Sequence, residues 1–307
     1  MKFGGFYEHQ LPRPWSRESE HTLLKNALEQ VELSDRLGYD YVWATEHHFL
    51  EEYAHSSAPE VFLAACSQRT RNLRIGHGIV QMPPNINHPA RVAERIATLD
   101  LISDGRCEFG IGAGATEAEL GGFFVPQAEK KEMMLEGLRA VVEMFVGEPF
   151  GGFEGRYIKV PARNVVPKPY QKPHPPLWMA CSNRASILQA ARLGVGALTF
   201  SFVSPEQAQQ WVTDYYETFE KECVPVGYAV NPQIAPSPVR FFATAIRNEC
   251  NNWVPKTTAS SYMALATIAF SASTNPVIPI SGMSSPIAPA NSLFRRAVSR
   301  IASARRK

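Results

Sequence analysis

The sequence predicts an α/β chain of parallel strands, and three observations carry that prediction. Short apolar runs alternate with helical periodicities six times before Val224. The intervening segments are long enough for right-handed crossovers between parallel strands. One run, Tyr39–Ala44, leads directly into Glu46-His47-His48, which places a carboxylate and two imidazoles where a strand opens into its βα loop. In such folds that end of the sheet is where chemistry is built.

The elements follow in order. Lys2–Tyr7 reads as an opening strand. Leu24, Ala27, Leu28 and Val31 mark one face of a helix that stops at Gly38, a residue tolerant of positive φ. Tyr39–Ala44 is the second strand. Pro59 opens a helix carrying Val61, Leu63, Ala64 and Ala65, and Leu73–Val80 is a third strand. Pro89 sits at a helix start, where its missing N–H is harmless, ahead of Val92, Ile96, Leu99 and Ile102. Asp104-Gly105 turns the chain into a fourth strand, Cys107–Ile111, which ends in Gly112-Ala113-Gly114. A helix is expected from about Ala128 to Phe145, a hairpin-like excursion over Gly151–Arg163 and an extended proline-rich stretch over Val166–Pro176. Leu177–Ala180 and Ala197–Phe200 are the fifth and sixth strands, each followed by a helix. A closed eight-fold barrel would need two more strands in the remainder.

Composition narrows the class. The hydrophobic share of 45% is ordinary for a globular chain of 307 residues. No apolar run approaches the roughly 18 residues of a membrane span. No basic, then apolar leader opens the chain, so a cytoplasmic location is expected. The five cysteines are scattered without a C-x-x-C pair, which argues against a disulfide framework or zinc site and for a reducing compartment. Charge is divided: from Pro236 onward nine Lys or Arg face one acid, Glu249, whereas residues 1–235 carry 22 bases and 28 acids.

That basic tail does not read like the body. Residues 257–291 are rich in Ser, Thr, Ala and Pro, and neither a periodic helix nor a strand bounded by turns is evident. Suitable synonymous codons permit Glu249–Ile268 to be read in a shifted frame as a string with more folded-protein character. A change of coding frame near residue 236 is therefore expected, and DNA sequencing across the region tests it. The domain division follows: residues 1–235 as one α/β domain, 236–307 as an atypical tail.

Four constellations are chemical candidates. A histidine at the carboxyl end of a strand, near its natural pKa, suits proton transfer, whereas adjacent histidines are poor chelators of one ion and no metal site is expected. Gly76-His77-Gly78-Ile79 places two glycines in a strand interior, which a close approach by a flat ring or by tight packing would each explain. Gly110-Ile111-Gly112-Ala113-Gly114 matches only the start of a dinucleotide fingerprint, so no nicotinamide site is expected. Ser182-Asn183-Arg184 opens a helix with capping residues, free N–H groups and a cation, a combination suited to a phosphate or to simple capping. Cys181 has no histidine near it in sequence to make it a nucleophile.

Over residues 1–235 the chain resembles the bacterial luciferase-like flavin-dependent monooxygenases. The resemblance rests on Trp43–Phe49, on Gly76–Pro83 with His88-Pro89, on Leu99–Arg106 running into Phe109–Gly112, and on Pro167-Lys168-Pro169 with Pro176–Ala180. It implies a (β/α)8 TIM-type barrel, here incomplete or irregular in its last two βα units. It implies reduced FMN as co-substrate, O2 adding to give a C4a-hydroperoxyflavin, and a small organic substrate to be oxygenated. His47 takes the catalytic position, and Glu46, Gly78, Ile79, Gly112, Gly114, Ser182, Asn183 and Arg184 take cofactor-binding positions. The Gly78-Ile79 segment is one where such proteins carry a non-prolyl cis peptide. A separate flavin reductase and a homodimer are implied, with neither nucleic acid nor membrane as partner. Gly112-Ala113 stands where light-emitting members have Cys-Arg, and Cys181 where they have Glu, which argues against light emission. An F420-dependent oxidoreductase transferring hydride, or an inactive flavin-binding copy, are the alternatives on the same scaffold.

Overall fold

A computed structural model describes residues 2–200, 203–237, 266–270 and 278–279. The chain opens with β1 (Lys2–Tyr7), α1 (Ser19–Arg36), β2 (Tyr41–Ala44) and α2 (Pro59–Arg69). There follow β3 (Arg74–His77), β4 (Val80–Gln81), α3 (Pro89–Ile102), β5 (Cys107–Gly112), α4 (Glu117–Gly122) and α5 (Lys130–Val146). A small hairpin, β6 (Phe153–Glu154) and β7 (Lys159–Val160), precedes β8 (Leu177–Cys181), α6 (Arg184–Leu193), β9 (Gly196–Phe200) and α7 (Pro205–Glu222). The last elements are β10 (Ala229–Val230), β11 (Ile234–Ser237), β12 (Ala266–Phe270) and β13 (Ile278–Pro279).

The main sheet runs β11-β9-β8-β5-β3-β2-β1-β12, with β4 also paired to β5. Every neighbour pair is parallel except β1 with β12, where Lys2 faces Phe270 and Phe6 faces Ala266 in antiparallel register. Because β12 also lies beside β11, the sheet curls round on itself. The architecture is an incomplete (β/α)8 barrel: β11 supplies a seventh parallel position and crosses the 235/236 boundary, but the eighth position is filled by a strand of the wrong direction.

Four sequence expectations need correction. Leu73–Val80 is two short strands: the Gly78 N–H still continues the ladder to the Ala44 carbonyl of β2 (2.8 Å), whereas Val80 pairs with Ile111 of β5. The cis peptide bonds among the described residues all precede prolines, so Gly78-Ile79 is trans. Val61 and Ile102 lie on exposed faces of their helices, since α2 and α3 bury narrower stripes of Phe62, Leu63, Cys66 and of Val92, Ile96, Leu99. The tail, expected to lack strands over 257–291, forms β12 and β13. Ala-Thr-Ile-Ala-Phe mixes β-branched and aromatic residues, and it covers the otherwise open edge of β1. The expected change of frame lies outside the described residues.

Inside the barrel the Trp43 and Trp178 rings meet edge to face at 5.4 Å, with Phe6, Tyr41 and Ala235 around them. Each indole occupies the volume that a side chain on Gly76 or Gly196 would need. Buried Glu108 accepts from the Trp178 Nε1–H (2.6 Å) and from the Arg74 guanidinium. The amino-terminal face is fastened by Asp35, whose carboxylate accepts the backbone N–H groups of Arg71, Asn72 and Leu73, each at 2.9 Å. Burial pushes its carboxyl up, but these donors and nearby Arg106 outweigh that and hold it below the ordinary value. Asp35→Ala is expected to cost about 1–3 kcal/mol of stability, measured by urea unfolding, because three donors lose their acceptor.

Candidate functional site

The loop after β2 is pinned from several sides. The Thr45 N–H bonds to the Tyr7 carbonyl (3.0 Å), the Ser56 hydroxyl to the Thr45 carbonyl (2.6 Å), and the His47 N–H to the Ser56 carbonyl (2.9 Å). Both imidazoles are thereby presented at the carboxyl end of the strands, each half-buried and each paired with its own buried carboxylate. His47 donates from Nδ1 to Glu119 Oε1 (2.9 Å), and His48 donates from Nε2 to Glu46 Oε1 (2.9 Å). The alternation of an extended segment separates the two rings: His47 lies against Tyr53 and His48 against Phe123. Among the described residues the His47 Nε2 makes no hydrogen bond, so with the proton on Nδ1 it carries a lone pair.

Gln81 and Asn87 join the two pairs. The Gln81 side chain donates from Nε2 to Glu119 Oε1 (2.7 Å) and to the Glu46 carbonyl (2.9 Å), while its backbone N–H donates to Glu46 Oε2 (2.8 Å). Asn87 donates to Glu46 Oε1 (2.7 Å) and accepts from Arg95 (2.5 Å), which pairs with Glu60 on α2. Glu119 is wholly buried and also receives the Thr116 hydroxyl at 2.9 Å. Burial alone would raise its carboxyl. The hydrogen bond and charge of His47, with Thr116 and Gln81, reverse this and hold it at about 2.

The other expected site residues are distributed as follows. Gly78 and Ile79 are half-buried at the break between β3 and β4, with Phe6 3.1 Å from where a Cβ on Gly78 would sit. The space beside Gly112 is filled by Ile79, at 2.6 Å from such a Cβ, and that beside Gly114 by Leu120 and Gln81. The Gly114 carbonyl accepts from Lys130 (2.9 Å). Ser182, Asn183 and Arg184 are exposed at the amino end of α6. There Asn183 forms a capping box with Ser186, and Arg184 pairs with Asp214 on α7 (2.5 Å). The structure thus brings His47, Glu46, Gly78, Ile79, Gly112 and Gly114 to one end of neighbouring strands and leaves the α6 residues at the end of β8.

Sequence reasoning missed Glu119, Gln81 and Asn87. Thr116-x-x-Glu119 is a capping-box pattern that could have revealed α4 and its acid. Gln81 and Asn87 carry no comparable signal. Burial pushes the Cys181 thiol up, which removes it as a nucleophile. No cluster of metal-ligating side chains occurs among the described residues, and none of their helices is long and apolar enough to cross a membrane.

The family described as luciferase-like monooxygenase matches residues 1–248. Protein y4wF of Sinorhizobium fredii is 34% identical over 200 residues, 63% of this chain and 54% of that one. The oxygenase component of flavin-dependent trigonelline monooxygenase from Acinetobacter baylyi is 29% identical over 185 residues, 59% and 49% of the two chains. The chain therefore spans about half the length of these curated relatives. The crystal structure of monooxygenase RslO1 from Streptomyces bottropensis superposes with a TM-score of 0.64 at 32% identity, covering 71% of this chain and 66% of that one. With the family match spanning most of the residues, the chain belongs to the luciferase-like monooxygenases.

Proposed function

We propose that this chain is the oxygenating part of a flavin-dependent monooxygenase that takes reduced FMN and O2 to a small organic substrate. The observation that carries this is the His47–Glu119 pair: an imidazole fixed by a wholly buried carboxylate, with its second nitrogen free, at the carboxyl end of β2. Glu119 keeps the His47 proton on Nδ1 and the ring in one orientation. His47 Nε2 then serves to hold or accept a proton from a bound group. Tyr53 lies edge-on against the His47 ring (5.6 Å) and supplies an apolar flank to it.

The residues present fit a flavin at two places. Gly78 and Ile79, half-buried beside Phe6, offer an apolar shelf for a flat ring. The amino end of α6, with Ser182 and Asn183 exposed, offers N–H and hydroxyl donors for a phosphate. Arg184 lies there too, with its charge already matched by Asp214. When bound, the flavin supplies the oxygen chemistry, and the protein supplies position, proton handling and exclusion of water. Reduced flavin comes from a separate reductase, and the working protein is a homodimer.

The test is anaerobic titration with reduced FMN, followed by admission of air. An oxygenated flavin signal should outlive that of free flavin, and His47→Ala should shorten its lifetime by about a hundredfold or more, in the range of a lost general acid–base group. Hydride exchange with reduced F420 alone would reassign the chain to F420 chemistry. Neither signal, with a broad thermal transition, would mark an inactive copy.

A further inference from the structure

Behind the histidine pair, between β3–β4 and helices α2 and α3, lies a cavity of about 10 Å³. Its polar walls are Glu46, Glu60, His77 and Arg95, and the rest is aliphatic. His77 is 1% exposed, and its Nδ1 has no hydrogen-bond partner among the described residues. Burial drives this imidazole down to about 4, so it is neutral, with one ring nitrogen an acceptor. The volume matches the roughly 10–15 Å³ that one water requires, and a buried water typically makes about three hydrogen bonds to groups otherwise unsatisfied. Donors and acceptors are both at hand: a guanidinium to give, two carboxylates and a ring nitrogen to receive.

We propose that this cavity is a single-water site, and that the water joins His77 and Arg95 to the Glu46 carboxylate. His77 is then a positioning residue for the Glu46–His48 pair. The water donates one hydrogen to the His77 Nδ1 and the other to a Glu46 oxygen, and it accepts from Arg95. Glu46 already receives His48, Asn87 and the Gln81 backbone, so the water completes the shell of a carboxylate that is 6% exposed. The groups facing Glu46 are then His48 on its own loop, Gln81 and Asn87 beside β4, His77 on β3, Arg95 on α3 and Glu60 on α2. Glu119 is linked to it through Gln81 and through His48, whose backbone N–H donates to Glu119 Oε1 (3.3 Å). Without the water, Glu46 has one donor fewer, and its bond to the His48 ring changes.

This rests on the reading that the His47–His48 end of the network is the chemical end, but its test needs no flavin. In the full chain labelled with nitrogen-15, a long-lived water should give a rotating-frame cross-peak to the His77 ring protons. His77→Leu should abolish any such bound-water signal at this site and move the His48 ring nitrogen-15 resonances, which report its bond to Glu46. His77→Gln, which keeps an acceptor, should restore both. No bound-water signal at His77 in the wild type would overturn the proposal, as would unmoved His48 ring nitrogen-15 resonances in a folded His77→Leu. If the leucine variant fails to fold, the wild-type cross-peak and the glutamine variant decide. A failed flavin titration would leave a positive water signal standing, so the two readings fall separately.

Discussion

Glu119→Ala is expected to cost about 3–5 kcal/mol of folding stability, because each buried donor left without its acceptor costs about 1–3 kcal/mol. The loss is large because the carboxylate has no exposed surface and because removing it strands several donors at once. Gln81 Nε2, the Thr116 hydroxyl and His47 Nδ1 all point at it. Urea unfolding with an unchanged m-value would read the effect. Glu119→Gln keeps one oxygen and the volume, so it should cost less, yet it should still remove the acid dependence described next.

The sign of that dependence follows from the direction of the shift. The carboxyl is held at about 2 in the fold against an ordinary 4.5. Its contribution is therefore fully present above pH 4.5 and is lost as pH falls from there through about 2. A shift of this size corresponds to roughly 3 kcal/mol. The wild type should lose that much across the window, and Glu119→Gln should show a flatter acid limb. An acid limb unchanged by the substitution would mean that Glu119 is not ionised against His47.

The same residue marks the boundary of what the sequence makes legible. The strand-helix alternation is a local signal, so the parallel sheet and the Glu46-His47-His48 corner can be read directly. Glu119 stands 72 residues from His47 in the chain, and only the barrel's curvature brings α4 over the β2 loop. Its capping box is readable, but which side chain the acid will meet is not. Gln81 and Asn87 are further removed still: an amide acquires a role here only because two buried carboxylates face it. The tail fails for a different reason. Ala266–Phe270 has no turn signals at its ends, and what makes it a strand is the open edge of β1, a property of distant residues.

Gly110→Ala is expected to be the most damaging single-methyl change in the sheet. A Cβ there would overlap the His77 carbonyl oxygen and come within 3.1 Å of Leu198. The Leu198 methyl can yield, but the carbonyl belongs to the backbone of the paired strand β3 and cannot swing aside as a side chain would. A cost of at least about 3 kcal/mol, or insoluble protein, is expected, at the upper end of what overpacking does. Gly121→Ala is the control: nothing lies within 4 Å of its Cβ and it sits in a helix, so that change should be neutral or stabilise by up to about 1 kcal/mol. The pair also separates two meanings of the glycine run at the end of β5. If Gly110 were there to admit a flat ring, alanine would weaken flavin binding and leave folding intact. If it lets two strands approach, as the His77 carbonyl indicates, melting temperature falls first, and any loss of flavin affinity follows from the displaced β3–β4 break that carries Gly78 and Ile79.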